Sequence, residues 1–220
     1  MRTYISPIGY DTRRVTRPVI HNGISTGDRI VLVRPGGEDD TERAQQAVAD
    51  VRQFMQEIEP DCTLTVSRVV TESFEETVYD CCDIILEVSP ERNCIVSLGG
   101  GARDVLLPLT VASLLYSRRI DTALFFSDLD NSVREWTLPD LTAHVPDRTL
   151  STFEAILEAD DWVSLSAIAN ETGQSKSTVI RHVNDLEEIA VVESDTSEKA
   201  KHVRVTFSGT LLSLVSQPGE

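Results

Sequence analysis

NCIVSLGGGARDVLLPLTVASLLY, residues 93–116, joins a short apolar run to a long one through three consecutive glycines. The first run, 93–98, has the length and composition of a buried strand, and the second predicts a helix over 102–116. Gly99, Gly100 and Gly101 let a ligand approach the backbone closely. A helix starting at Ala102 turns free N–H groups and a partial positive charge toward an anion. Arg103 adds a planar fork suited to phosphate. The other reading of the same glycines is a tight strand-to-helix turn with no ligand. Neither G-x-G-x-x-G after the first strand nor a Walker-type G-x-x-x-x-G-K-[ST] occurs, so NAD and ATP are poor candidates.

The same alternation runs outward from this unit. Residues 3–8 (TYISPI), 29–34 (RIVLVR) and 62–70 (CTLTVSRVV) read as strands, and 122–127 (TALFFS) and 132–138 (SVREWTL) as late ones. Helices are predicted over 11–22, with Gly23 as its stop, over 40–59 and over 74–88. The second of these carries Ala44, Ala47, Val48, Val51, Phe54, Met55 and Ile58 as one apolar stripe. Strand and helix in turn predict an α/β fold, a Rossmann-like doubly wound parallel sheet with helices on both faces. The pattern breaks near His144-Val145-Pro146-Asp147, read as a hinge between a domain over 1–145 and another over 146–220.

Beyond the hinge, helices are predicted over 150–159, 164–172 and 176–189, with Gly173 at the second turn. Two helices joined by a tight glycine turn, the second opening Ser175, Lys176, Ser177, Thr178, form a helix-turn-helix pattern. Short strands at 191–193 and 202–207 around the polar tip SDTSEKAK predict a wing. The expected fold is therefore a Rossmann-like domain followed by a winged helix-turn-helix domain.

Charge qualifies this reading. There are 36 acids and 20 bases, a net charge of −16, and the lysines are Lys176, Lys199 and Lys201 alone. Such a surface repels a polyphosphate as a whole. It fits a protein of a halophilic host, where ~1 M salt shortens the Debye length to ~3 Å. The local distribution then matters more than the total. Residues 174–184 hold Lys176, Arg181 and His182 with no acid, and 199–208 hold Lys199, Lys201, His202 and Arg204 with none. Bases gathered on the predicted recognition helix and wing favour double-stranded DNA as partner over a purely protein-binding winged helix.

Other chemistry is scarce. Cys62, Cys81, Cys82 and Cys94 lack C-x-x-C spacing and read as small hydrophobes. No metal cluster, catalytic triad or paired carboxylates are legible, and Asp128 and Asp130 read as turn caps. No apolar run reaches the ~18 residues a membrane span requires. The N-terminus has no signal-peptide core, so a cytoplasmic protein without a membrane partner is expected.

Residues 168–187, IANETGQSKSTVIRHVNDLE, resemble the winged helix-turn-helix superfamily of prokaryotic regulators. The resemblance implies DNA contacts from Ser175, Lys176, Ser177, Thr178, Arg181 and His182, while the wing offers Lys199 and Lys201. Members commonly have Gly after the recognition helix, where this chain has Ala190. Likewise Tyr4–Asp11 (YISPIGYD) with 97–103 (SLGGGAR) resembles the CARF, or CRISPR-associated Rossmann fold, domain. Joined to a winged helix, the whole chain is similar to the archaeal CRISPR-associated CARF regulators. That similarity implies a homodimer with no cofactor, binding a cyclic oligoadenylate across its two-fold axis, with cyclic tetra-adenylate the candidate effector. The implied contacts are Ser6, Pro7, Ile8, Gly9 and Arg13 from one loop, with Ser97, Gly99, Gly100, Gly101 and Arg103 from the other. The expected function is ligand-controlled transcription regulation, without catalytic residues. Two rivals stay open: a winged-helix regulator answering another effector or none, and a slow ring nuclease cleaving the bound oligoadenylate.

Overall fold

The structure, a computed structural model, describes residues 1–37, 41–197 and 200–216. It divides into two units, Met1–Leu138 and Pro139–Glu220. The first alternates β1 (Arg2–Pro7), α1 (Arg13–Asn22), β2 (Arg29–Pro35), α2 (Glu42–Ile58), β3 (Thr63–Val69), α3 (Phe74–Leu86), β4 (Asn93–Ser97), α4 (Arg103–Leu115), β5 (Thr122–Phe126) and β6 (Val133–Trp136).

These strands make one sheet in the order β3-β2-β1-β4-β5-β6. The first five run parallel, with Ile5 of β1 registered on Val31 and Val96 of its two neighbours. Ile5, Val31, Val33 and Val96 point into a core closed by Ile85 of α3 and Leu109 of α4. The alternate residues Tyr4, Ile30, Leu32 and Ile95 point into a second core, closed by Val15 of α1 and Val51 of α2. Strands covered on both faces read as continuous apolar runs, which is how the sequence presents them. The fold is thus a Rossmann-like, mostly parallel sheet.

β6 departs from the expected all-parallel sheet, pairing antiparallel with β5. Only six residues join the two strands. That suffices for a hairpin, whereas a parallel crossover needs a dozen or more. The cysteines behave as small apolar groups: Cys81 and Cys94 sit in the α3–α4 core, where burial pushes both thiols up to about 12.

The second unit holds α5 (Leu150–Glu158), β7 (Val163–Ser164), α6 (Leu165–Thr172), α7 (Lys176–Glu188), β8 (Val192–Asp195), β9 (His202–Val205) and α8 (Phe207–Ser216). Phe153, Ile156, Ile168, Val183, Leu186 and Val203 are at its core. A three-stranded sheet, β7-β9-β8, completes the winged helix. Residues 139–145, expected in the first domain, belong to this unit. Ala143 and Val145 pack on its core, and the Asp140 N–H donates to Ser208 Oγ at 2.9 Å.

Gly173 ends α6 at φ 66°, a left-handed conformation that glycine adopts without steric cost. α7 ends differently. The N–H of Val191 donates to Leu186 O at 3.1 Å and that of Ala190 to Glu187 O at 2.9 Å. This is a Schellman pair with Ala190 in the left-handed position at φ 57°.

Candidate functional site

Strand order in the first unit runs 1-2-3 outward from β1 and 4-5 outward from β4 on the other side, so the connections reverse direction between these two strands. Ligands of doubly wound folds bind in the crevice that such a reversal opens beyond the carboxyl ends. The loops leaving β1 and β4 meet there. A Cβ added at Gly9 would lie 3.4 Å from the Gly101 Cα, and one at Gly101 would lie 2.6 Å from the Pro7 Cβ.

Each glycine has a packing reason. A side chain at Gly99 would collide with Phe126 of β5, its Cβ 2.7 Å from that of Phe126. At Gly100 it would lie 2.7 Å from the Arg14 Cβ, and Gly101 has φ 88°. Tight packing therefore accounts for the triple glycine before any ligand is considered.

Helix capping separates this edge from the rest of the sheet. Thr41 and Ser73 accept backbone N–H bonds at the starts of α2 and α3. α1 and α4, which begin at the crevice, have no side-chain cap. At α1 the Arg13 N–H donates to Asp11 Oδ1 at 3.2 Å and the Arg14 N–H to Asp11 O at 3.3 Å, so it is at α4 that the first N–H groups and the positive dipole end open toward the crevice. Arg103 is exposed at the start of α4 and, among the described residues, has no ion-pair partner. A neighbouring cavity of about 640 Å³ has Gly9, Gly101, Ala102, Arg34, Arg68 and Glu72 in its lining.

The expected ligand residues fall into two groups. Gly9, Gly101 and Arg103 reach the edge. Ser6, Pro7, Ile8, Ser97, Gly99 and Gly100 are buried, with Ile8 in the α1–α2 core. Ser6 and Ser97 occupy adjacent strands on the α1 side of the sheet, and both hydroxyls are enclosed without a protein partner.

Arg13 does not join the loops. It is exposed and forks onto Asp11 at 2.9 Å through both Nε and Nη2, which holds the Asp11 carboxyl below its ordinary value. Arg14 joins them instead. Its Nη1 donates to Gly99 O at 2.9 Å, its Nη2 pairs with Asp128 at 2.6 Å, and its stem lies on Gly100. The sequence carried this signal: Val15, Pro18 and Val19 mark the sheet-facing side of α1, where Arg14 lies four residues before Pro18. Arg13 falls on the outer side with Arg17.

In the second unit, Ser175 caps α7. Its Oγ accepts from the Thr178 N–H at 3.2 Å and bonds the Ser177 and Thr178 hydroxyls. Lys176, Ser177 and Arg181 are exposed on the first turns, and Thr178 is half-buried. His182, expected on this face, is instead a core residue, 5% exposed. Its Nδ1 is 2.9 Å from Thr152 Oγ1, and burial lowers its pKa. Helical periodicity puts it beside Val179 and Val183, a signal that its basic character obscured.

The wing bases are held by acids. Lys201 Nζ lies 2.7 Å from Glu187, and Arg204 Nε lies 2.6 Å from Glu193 with its guanidinium over Trp162. Lys199 lies outside the described residues. Arg148 pairs with Asp185 at 3.1 Å. Among the described lysines and arginines of this unit, Lys176 and Arg181 alone have no acidic partner, and both stand on the amino-terminal half of α7.

No group of three or more His, Cys, Asp or Glu side chains among the described residues is placed to hold a metal. No described helix is long and apolar enough to cross a membrane.

Residues 2–131 match the family model described as the Csa3 CRISPR-associated Rossmann-like domain, and residues 145–196 match the IclR helix-turn-helix domain. No curated protein matches the chain. Enterococcus italicus Csm6, solved bound to cyclic hexa-2'-fluoro-hexa-dAMP, is 13% identical, with a TM-score of 0.53 over 87% of this chain and 55% of its own. The chain thus spans little more than half of that protein, and the likeness is one of fold. Protein VC1899 from Vibrio cholerae is 10% identical over 94% of this chain and 62% of its own, with a TM-score of 0.45. A point mutant of MepR from a multidrug-resistant S. aureus clinical isolate is 22% identical over 34% of this chain and 67% of its own, with a TM-score of 0.28.

Proposed function

The chain belongs to the family of Csa3 CRISPR-associated Rossmann-like domains, and we propose that it is a DNA-binding transcription regulator of CRISPR-associated genes, controlled by an anionic nucleotide at the β1–β4 edge. The observation that carries the DNA half is the placement of Lys176 and Arg181. In a chain of net charge −16, the two described bases of the winged helix without acid partners stand on its recognition helix. Phosphate contacts need such unneutralised bases, because an arginine already held by a carboxylate brings little net charge to DNA.

For the sensor half, the uncapped start of α4 and Arg103, which has no ion-pair partner among the described residues, favour an anion. A cyclic oligoadenylate, with cyclic tetra-adenylate as the candidate, suits an edge that offers the backbone N–H groups of α4 and the exposed Arg103. Csm6, which shares the fold, was solved with a cyclic oligonucleotide bound. The reading includes a homodimer whose two-fold axis passes the glycine loops, so that two chains hold one ligand. α4 supports self-pairing: Leu107, Val111 and Leu115 form an exposed apolar stripe in a segment, 105–116, with no charged residue. Ligand then biases operator binding to the extent that it prefers one dimer arrangement.

Isothermal titration with cyclic tetra-adenylate should give one ligand per two chains, and Arg103→Glu should remove the heat. In parallel, Arg181→Glu should abolish specific operator binding. One ligand per chain would refute the shared site. Operator binding without any ligand heat would leave a regulator answering a different effector, and phosphodiester cleavage of the ligand would turn the reading to a ring nuclease.

A further inference from the structure

The exposed residues of α7 do not stop at its bases. Ser177, Ile180, Arg181 and Asn184 fall within an arc of about 100° on one helix face. Ile180 is 40% exposed and stands apart from the core that holds Val179, Val183 and Leu186. On a helix whose other outward residues are polar, a branched aliphatic facing water forgoes hydrophobic stabilisation unless a partner covers it.

Charge along α7 fixes how far that face can be read. Lys176 and Arg181 occupy the first half, and Asp185, Glu187 and Glu188 the second. Two of these acids are neutralised from outside the helix, Asp185 by Arg148 at 3.1 Å and Glu187 by Lys201 at 2.7 Å. Lys201 therefore lowers the repulsion that α7 would meet near phosphates, rather than standing free as a phosphate contact itself. The face is open to a polyanion from Ser177 to Asn184, a rise of about 10 Å, or about three base pairs.

We infer that Ile180 and Asn184 read bases in the major groove beside Arg181, so that each operator half-site holds a G·C pair next to a step of A·T pairs. Arg181 matches the O6 and N7 acceptors of guanine, Asn184, once its Oδ1 gives up the 3.5 Å contact from Lys201 Nζ, matches N6 and N7 of adenine, and Ile180 matches the thymine methyl group. Ile180 lies three residues after Ser177 and four, about 6 Å, before Asn184, which puts the thymine within about two base pairs of that adenine. Ser177, with one short hydroxyl, tolerates several bases. The inference rests on the DNA-binding reading and specifies what DNA that reading would select.

The test uses the full-length protein and a randomised duplex library, with wild type, Asn184→Ala and Ile180→Ala selected side by side. Wild type should select G, A and T at neighbouring positions. Asn184→Ala should lose the adenine preference, about 10- to 100-fold, at one position and leave the others and the salt dependence intact. Replacing the selected thymine by deoxyuridine, which removes only the methyl group, should weaken wild type about fourfold and leave Ile180→Ala unaffected. Both side chains are outward-facing, so an unchanged melting temperature verifies that the variants fold. If the variants select the wild-type sequence, or deoxyuridine weakens all proteins alike, this inference falls while DNA binding stands. A wild type that selects no sequence overturns both.

Discussion

Replacing Arg14 by alanine should destabilise the sensor unit by about 3 kcal/mol, while the same change at neighbouring, exposed Arg13 should leave its stability nearly unchanged. The larger value comes from three contacts of unequal weight. The guanidinium bond to the buried Gly99 carbonyl, at 2.9 Å, contributes about 1.5–3 kcal/mol, because its loss strands a buried acceptor. The ion pairs to Asp128 and Asp11, at 2.6 and 3.7 Å, add only a few tenths of a kcal/mol, since Asp128 is 65% exposed. The stem packed on Gly100 adds up to about 1 kcal/mol of buried methylene surface. Arg13 has only its exposed fork to Asp11 to lose. For a unit of this size, about 3 kcal/mol lowers the melting temperature by roughly 10 °C. Far-UV circular dichroism melts of both variants should show that gap, and it should persist in about 1 M KCl. Ion pairs alone would be screened there, whereas a buried bond to a carbonyl is not. Equal melting temperatures for the two variants, or a gap that disappears in salt, would refute the assignment of Arg14 to the glycine loop.

Ala190→Gly should stabilise the winged-helix unit by about 1 kcal/mol, because glycine removes the Cβ strain of φ 57° at the Schellman position. A urea midpoint that falls would show instead that the methyl group packs usefully. His182 should make the same unit pH-sensitive. Its pKa is lowered in the folded state by burial and then by Arg181, so the unfolded chain takes up a proton first on acidification. Stability is therefore full well above the ordinary histidine value of about 6.5 and declines as pH falls through that value toward the lowered folded-state one. His182→Gln should flatten that decline in urea titrations, and a wild type that gains stability over this window would contradict the sign.

Sequence determined whatever depends on period and length. Buried strands such as RIVLVR announce themselves as continuous apolar runs, the stripe of α2 repeats at helical spacing, and Gly173 punctuates the helix-turn-helix. β7 and α8 escaped. β7 has two residues, too few to show alternation. α8 begins at Phe207, inside the expected last strand, where Thr206 Oγ1 caps the helix by accepting from the Gly209 N–H at 3.2 Å. Thr206 ahead of Phe207, Leu211 and Leu212 was the available signal. Tertiary structure alone decided which residue of each chemically similar pair faces the site. Arg13 and Arg14 are identical in kind and adjacent in sequence, yet the packing of α1 on the sheet sends one to solvent and the other to Gly99. Composition put His182 with the bases, and the fold of the second unit buried it against Thr152. Strand order is likewise invisible to local pattern. That β1 and β4 adjoin, and so bring Gly9 against Gly101, follows from how the sheet assembles across about 90 residues of chain.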